Sequence, residues 1–269
     1  MEEAFGLLYM AKDFPDVYRT GRGRPRQAGH LQEIEDFLRL VFGIFSLLGR
    51  HSSNATGYDR LAGKLESGDT IITLNYDTLL DSALVRRGWT PRYGYCLGDS
   101  QRKFRWAPAP RPGNLDKVSL LKLHGSVNWY VRGSYRELNR VFASKPVLIA
   151  NLRKNERTGY IRQIIPPIYG KFFAHAHWRN LWDKAYRALL DSDVLVVIGC
   201  SLVDTDFHLR ALLSRVSQLR KRENRPFKRA VFVDRVTVRR KWKKVLQGSL
   251  RQSWGFPNFE NLLSKELKA

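Results

Sequence analysis

The sequence predicts an α/β protein built on a doubly wound, mostly parallel sheet. Short apolar, β-branched runs recur between polar turns, and helical-period segments of roughly a dozen residues separate the later ones. Composition agrees: 43% hydrophobic and 27% charged residues over 269 positions are ordinary for a globular chain and too apolar for disorder. A chain of this length buries a sizeable core, as one large domain or one domain with a small appendage.

Taken in order, Thr20 to Gly29 holds Gly, Pro and Arg too densely for an element and is expected as an exposed basic loop. Leu31 to Leu48 sets Ile34, Phe37, Leu38, Val41, Phe45 and Leu48 on one helical face. Its apolar part, Leu40 to Leu48, is about nine residues long against the ~20 that span a bilayer, and it follows Glu33, Glu35, Asp36 and Arg39. It is therefore expected as a core helix of a soluble protein. No basic-then-apolar leader with a small-residue cleavage site opens the chain, so a cytoplasmic protein without a membrane partner is expected. A loop around His51 to Tyr58 and a short helix lead to the first clear strand, Thr70 to Leu74.

Further strands are expected at Ser119 to Leu123, Pro146 to Ala150, Asp193 to Ile198 and Arg229 to Val233. Within Asp193–Ile198 the residues from Val194 on are continuously apolar, as in a strand covered by helices on both faces. One helix carries Trp178, Leu181, Trp182, Ala185, Leu189 and Leu190 on one side, and another runs from about Phe207 to Leu219. The Trp178, Trp182, Tyr186 series is expected in the core rather than as a stacking platform. Residues 1–60 are expected as an N-terminal helical part with the basic loop, 61–237 as the core, and 238–269 as a basic helical appendage.

Lys and Arg number 47 against 25 Asp and Glu, a formal net charge of +22. A field of this sign draws nucleic acid or a phosphate-bearing small molecule; the alternative is an arginine-rich solvated face. Arg215 to Arg229 and Arg239 to Lys244, with Trp242 among them, are the densest basic runs. The two cysteines, Cys96 and Cys200, form either one bridge or two reduced thiols, and are too few for a disulfide framework or a four-cysteine zinc site. His175 and His177 stand two apart without a Cys or acidic companion, and read as structural.

Three polar clusters follow three of the strands: Asn75-Tyr76-Asp77, His124-Gly125-Ser126, and Gly199-Cys200-Ser201 with Asp204 and Asp206 beyond. In an open parallel sheet ligands bind outside the carboxyl ends of the strands, so the three clusters are expected on one edge. Taken singly, Asn-Tyr-Asp reads as a turn or helix cap, and a single His as a satisfied core residue.

The stretches Thr73-Leu74-Asn75-Tyr76-Asp77, Lys122-Leu123-His124-Gly125-Ser126 and Ile198-Gly199-Cys200-Ser201-Leu202 together resemble the sirtuin-like (silent information regulator) family, over roughly Thr70 to Asp234. The resemblance implies a Rossmann-like fold that binds NAD and breaks the bond between nicotinamide and ribose. By motif, it implies that Asn75 positions the ribose or the attacking water, that His124 is the catalytic base, and that Asp77 supports the nicotinamide or ribose side. It implies that Gly199 and Ser201 meet the dinucleotide backbone, with Thr73, Tyr76, Gly125, Ser126, Leu202, Asp206 and Asp234 completing the cofactor-binding set. The chemistry agrees: nicotinamide is a cationic leaving group, so an oxocarbenium-like centre needs electrostatic support and the nucleophile needs a base. A histidine, titrating near ~6.5, suits that role at neutral pH.

Zinc-binding Cys-x-x-Cys pairs are missing between Gly125 and Ile198, so no metal is expected. The resemblance then points away from protein deacylation, toward the zinc-less branch similar to bacterial antiphage NAD-hydrolysing effectors. A strand followed by a glycine-rich phosphate loop is not recognisable before Asn75; Gly21 and Gly23 lie among arginines. The fold is thus expected to lack the family's first strand and glycine-rich loop, with Met1 an internal start. The leading expectation is an NAD glycohydrolase in antiphage or stress defence, with a homo-oligomer or a defence-system protein as partner. The alternatives are a non-catalytic nucleotide- or nucleic-acid-binding module, and an inactive fragment.

Overall fold

A computed structural model describes residues 56–97, 115, 117–132, 141–143, 160–164 and 176–266. The loop at 20–29, the helix Leu31–Leu48, the strand Pro146–Ala150 and the question of an opening strand with its glycine loop lie outside the described residues. The chain divides into two compact units, Met1–Leu181 and Trp182–Ala269.

The first unit contains α1 (Thr56–Ala62), β1 (Thr70–Thr73), α2 (Leu79–Arg86), α3 (Pro91–Gly94), β2 (Ser119–Lys122), β3 (Gly125–Arg132), β4 (Val141–Ala143) and β5 (Tyr160–Ile164). β1 and β2 pair in parallel, Thr70 opposite Ser119 and Thr73 opposite Lys122. A parallel pair needs a crossover, and α2 and α3 lie in the connection. An aromatic core forms beside it. The Trp89 and Tyr95 rings meet edge-on at 5.1 Å, Tyr95 and Trp129 likewise at 5.1 Å, and the Trp89 indole donates to the Val118 carbonyl at 2.9 Å. Gly94 is required there, because a Cβ would lie 2.0 Å from the Trp89 ring.

β3 pairs antiparallel with both β4 and β5, forming a sheet the sequence reading did not contain. Gly125 and Ser126, expected in a polar cluster after β2, begin β3. Gly125 has φ +86°, which lets the chain leave the parallel pair and turn at once into β3.

Helix α4 (Ala176–Asp191) crosses the division between the units, and buries Trp178, Leu181, Ala185 and Leu189 at helical spacing. In the second unit follow β6 (Val194–Ile198), α5 (Phe207–Arg222), β7 (Arg229–Val233), α6 (Val236–Val245), β8 (Ser253–Phe256) and α7 (Phe259–Glu266). β6, β7 and β8 form a parallel sheet in that order. Val231 and Val233 on one face are packed by Leu262, Phe256 and Phe259; on the other, Phe232 lies 6.3 Å from the Trp242 ring. Arg220 of α5 donates to the carbonyls of Leu189, Leu190 and Ser192, satisfying the exposed carbonyl end of α4.

The protein is thus a mixed α/β fold with short parallel sheets and helices, Rossmann-like in kind. Among the described residues its parallel strands fall into a pair and a triplet rather than one continuous ladder. Two expectations differ in detail. The C-terminal stretch contains β8, hydrogen-bonded along β7, and is not wholly helical. β6 is not covered on both faces: Val194, Val196 and Ile198 are 51%, 46% and 38% exposed.

Candidate functional site

The β1–β2 register decides where the first two clusters stand. Thr73 lies opposite Lys122, so Asn75 and His124 are each two residues beyond that pair, at the carboxyl end of parallel neighbours. Backbone bonds fasten the two exits: the Leu123 amide donates to the Thr73 carbonyl at 3.0 Å and the Val127 amide to the Tyr76 carbonyl at 3.0 Å. The Ser126 hydroxyl also donates to the Tyr76 carbonyl, at 3.3 Å. Asp77 accepts from the Leu79 amide at 2.9 Å and so starts α2, while the Thr73 hydroxyl accepts from the Asn75 amide at 3.1 Å.

Asn75 is exposed, whereas His124 is only 3% exposed, with the Tyr76 ring 6.3 Å away. The asparagine stands at the surface and the imidazole is buried. Tyr58 of α1 is held above the usual phenol range by burial and then by the charge of Asp77, which places an aromatic hydroxyl in the field of this edge.

The third cluster ends β6, in the second unit. Gly199 adopts φ +59°, is exposed, and has nothing within 4 Å of where a Cβ would be, so its backbone is open to close approach. Its amide is committed to the Val233 carbonyl at 3.0 Å. Ser201 is exposed. Leu202 is fully buried at φ +50°, a left-handed conformation uncommon for a leucine and frequent where function constrains the backbone. Burial, ahead of the charges of Asp206 and Asp234, pushes the Cys200 thiol up, and both cysteines are free. The Trp242 indole donates to the Cys200 carbonyl at 2.7 Å and holds the turn. Asp206 is 1% exposed and caps α5 through the Leu209 amide at 3.3 Å; Asp234 accepts from the Arg235 amide at 2.6 Å.

A model of the SIR2-like domain matches residues 69–247, more than half of the chain. The protein belongs to the SIR2-like domain family. The match spans all three clusters and ends just after α6. No curated protein matches the sequence. A SIR2-like domain implies NAD binding. Among the described residues no three His, Cys, Asp or Glu side chains gather as metal ligands, and no helix is long and apolar enough to cross a membrane. His177 is buried with its ring 4.7 Å from Trp178; His175 lies outside the described residues.

Four polar side chains form a buried network to which the motifs give no role, although Lys122 opens one of those motifs. Lys122 and Asp81 are both 1% exposed and form an ion pair at 3.1 Å. The Lys122 ammonium also donates to the Asp77 carbonyl, the Tyr95 hydroxyl donates to Asp81, and the Asn128 amide donates to the Tyr95 oxygen at 3.3 Å. One signal was present: a lysine inside the apolar run Ser-Leu-Leu-Lys-Leu, immediately before the His124 cluster.

Proposed function

We propose that this SIR2-like domain hydrolyses NAD to nicotinamide and ADP-ribose. The observation that supports it most is the β1–β2 register, which brings Asn75 and His124 to equivalent positions at the end of two parallel strands within the matched region. In the proposed reaction the C–N bond between ribose and nicotinamide breaks, and its electron pair leaves with the nicotinamide nitrogen. Water forms the new C–O bond and its proton passes to the His124 imidazole. Asn75 orients the water or the ribose hydroxyls, and Asp77 supports the developing cation electrostatically. Thr73, Tyr76, Gly125, Ser126, Gly199, Ser201, Leu202, Asp206 and Asp234 complete the NAD-binding set, Asp206 and Asp234 by shaping backbone they already hold.

A buried base suits water that is held rather than bulk solvent, as the proposed hydrolysis requires. Purified protein mixed with NAD is expected to release nicotinamide, read by chromatography, and Asn75→Ala or His124→Ala to lower the rate at least ~10²-fold with circular dichroism unchanged. Wild-type rates in both variants would remove these residues from the reaction centre. The setting proposed is cytoplasmic antiphage or stress defence, with self-association or a defence partner as trigger. Cellular NAD should then fall when the chain is expressed in phage-challenged cells, and not in cells carrying the His124→Ala chain.

A second reading, a nucleic-acid-binding module, is favoured by α6. Its ten residues include Arg239, Arg240, Lys241, Lys243 and Lys244 and no carboxylate. Like charges three and four apart on a helix disfavour it, and a merely solvated face would interleave acids.

A further inference from the structure

A buried ion pair is an unusual way to hold a small sheet together. Apolar side chains of similar volume often stabilise as well or better, because the charges must be desolvated. A buried hydrogen-bonded network instead specifies one geometry. The network in the first unit is of this kind. Lys122 is the last residue of β2 and Asp81 lies in the first turn of α2; Tyr95 follows α3, and Asn128 is in β3. These elements all meet behind the exits of β1 and β2. Burial, then the Asp81 charge, holds the Tyr95 phenol well above its usual range, so it stays a donor. The ammonium has one bond outside the ring of side chains, to the backbone carbonyl of Asp77. That carbonyl is two residues past Asn75, and Lys122 is two residues before His124. One buried cation therefore touches both strand exits.

We propose that Lys122 is a positioning residue: with Asp81 and Tyr95 behind it, its ammonium fixes the Asn75–Asp77 turn against the His124 segment. This rests on the reading of Asn75 and His124 as the reaction centre, but its geometrical half does not require turnover. The bond to the Asp77 carbonyl orients the turn whose Tyr76 carbonyl meets the Val127 amide and Ser126 hydroxyl, so loss of the cation frees the turn while β1 and β2 stay paired.

The test compares three full-length variants: Lys122→Met, the apolar pair Asp81→Leu with Lys122→Met, and the near-isosteric Asp81→Asn. Each is read by thermal melting, by amide hydrogen exchange of peptides covering 74–80 and 123–128, and by steady-state NAD cleavage. The double variant is expected to melt near wild type, yet to exchange at least tenfold faster in 74–80, with kcat at least tenfold lower and KM changed less. Exchange in 207–222 should not move. If the double variant recovers wild-type protection and wild-type kcat, the network is packing alone and the proposal is overturned. If wild-type protein does not cleave NAD, the hydrolase reading fails on its own, and exchange in 74–80 still decides the positioning claim. If Lys122→Met does not fold, the double and Asp81→Asn variants carry the comparison; unchanged exchange in both overturns it.

Discussion

Tyr95 shows what burial does to a single titratable group. Its phenol is fully buried, donates to Asp81, and has its pKa raised by burial first and by the Asp81 charge second. An unfolded tyrosine titrates near ~10. With the folded value above that, the contribution of Tyr95 to stability is complete below pH ~10 and is lost as pH rises beyond it, because the unfolded chain releases the proton first. Alkaline unfolding followed by circular dichroism should therefore begin above about pH 10, with Tyr95→Phe shifting it upward while removing about 1 kcal/mol of hydrogen bonding at neutral pH. An unchanged alkaline midpoint would count against a neutral, buried phenol. Legibility at this scale was uneven. Asn75 and His124 stood out because a polar residue after an apolar run is conspicuous. Asp81 and Tyr95 did not, since each looks like an ordinary helix or loop residue until a lysine 41 positions from Asp81 arrives beside it.

At the scale of elements, α6 joins a buried stripe to a charged one. Val238 and Trp242 face inward, and the Trp242 indole ends on the Cys200 carbonyl. Trp242→Phe should cost about 1–2 kcal/mol in a urea melt, from the lost bond and the smaller ring. On the outer side Arg235, Arg240, Lys241, Lys243 and Lys244 are all exposed. If this face meets nucleic acid, the affinity for a random-sequence duplex should fall with salt at a log–log slope of about −4, for four or five phosphates. Charge reversal at Arg240, Lys241, Lys243 and Lys244 should flatten that slope; a slope unaffected by it would assign binding elsewhere. The strongest strands were readable, Val194–Ile198 and Arg229–Val233 from their apolar runs, and Thr70–Thr73 from its β-branched residues. β3 and β8 were not. Gly125 opens β3, polar Ser126 and Asn128 follow it, and Gly255 interrupts β8, so neither shows an unbroken apolar run.

The whole molecule divides inside a helix, which hides the division from sequence: the apolar spacing of α4 runs unbroken through Leu181 and Trp182. Composition likewise does not reveal that the last strand and helix pack into the second unit's sheet. The family match ends at 247, but β8 and α7 beyond it complete the sheet and cover Val231 and Val233. Removing residues 249–269 should cost on the order of 5 kcal/mol, from several apolar side chains returned to water, and leave the second unit unfolded by proteolysis or melting.

The bared side of β6 has a consequence for the protein in bulk. Val194, Val196 and Ile198 are exposed on a strand that, among the described residues, pairs only with β7. Such an edge is adhesive, and mutual repulsion at a net charge of +22 opposes its pairing with another copy. Repulsion reaches about 10 Å in 0.1 M salt but only about 3 Å at 1 M. Light scattering should therefore rise with added sodium chloride, and Val196→Lys should suppress the rise. The colloidal state of this protein would be governed by ionic strength, with salt acting as the condition that permits assembly.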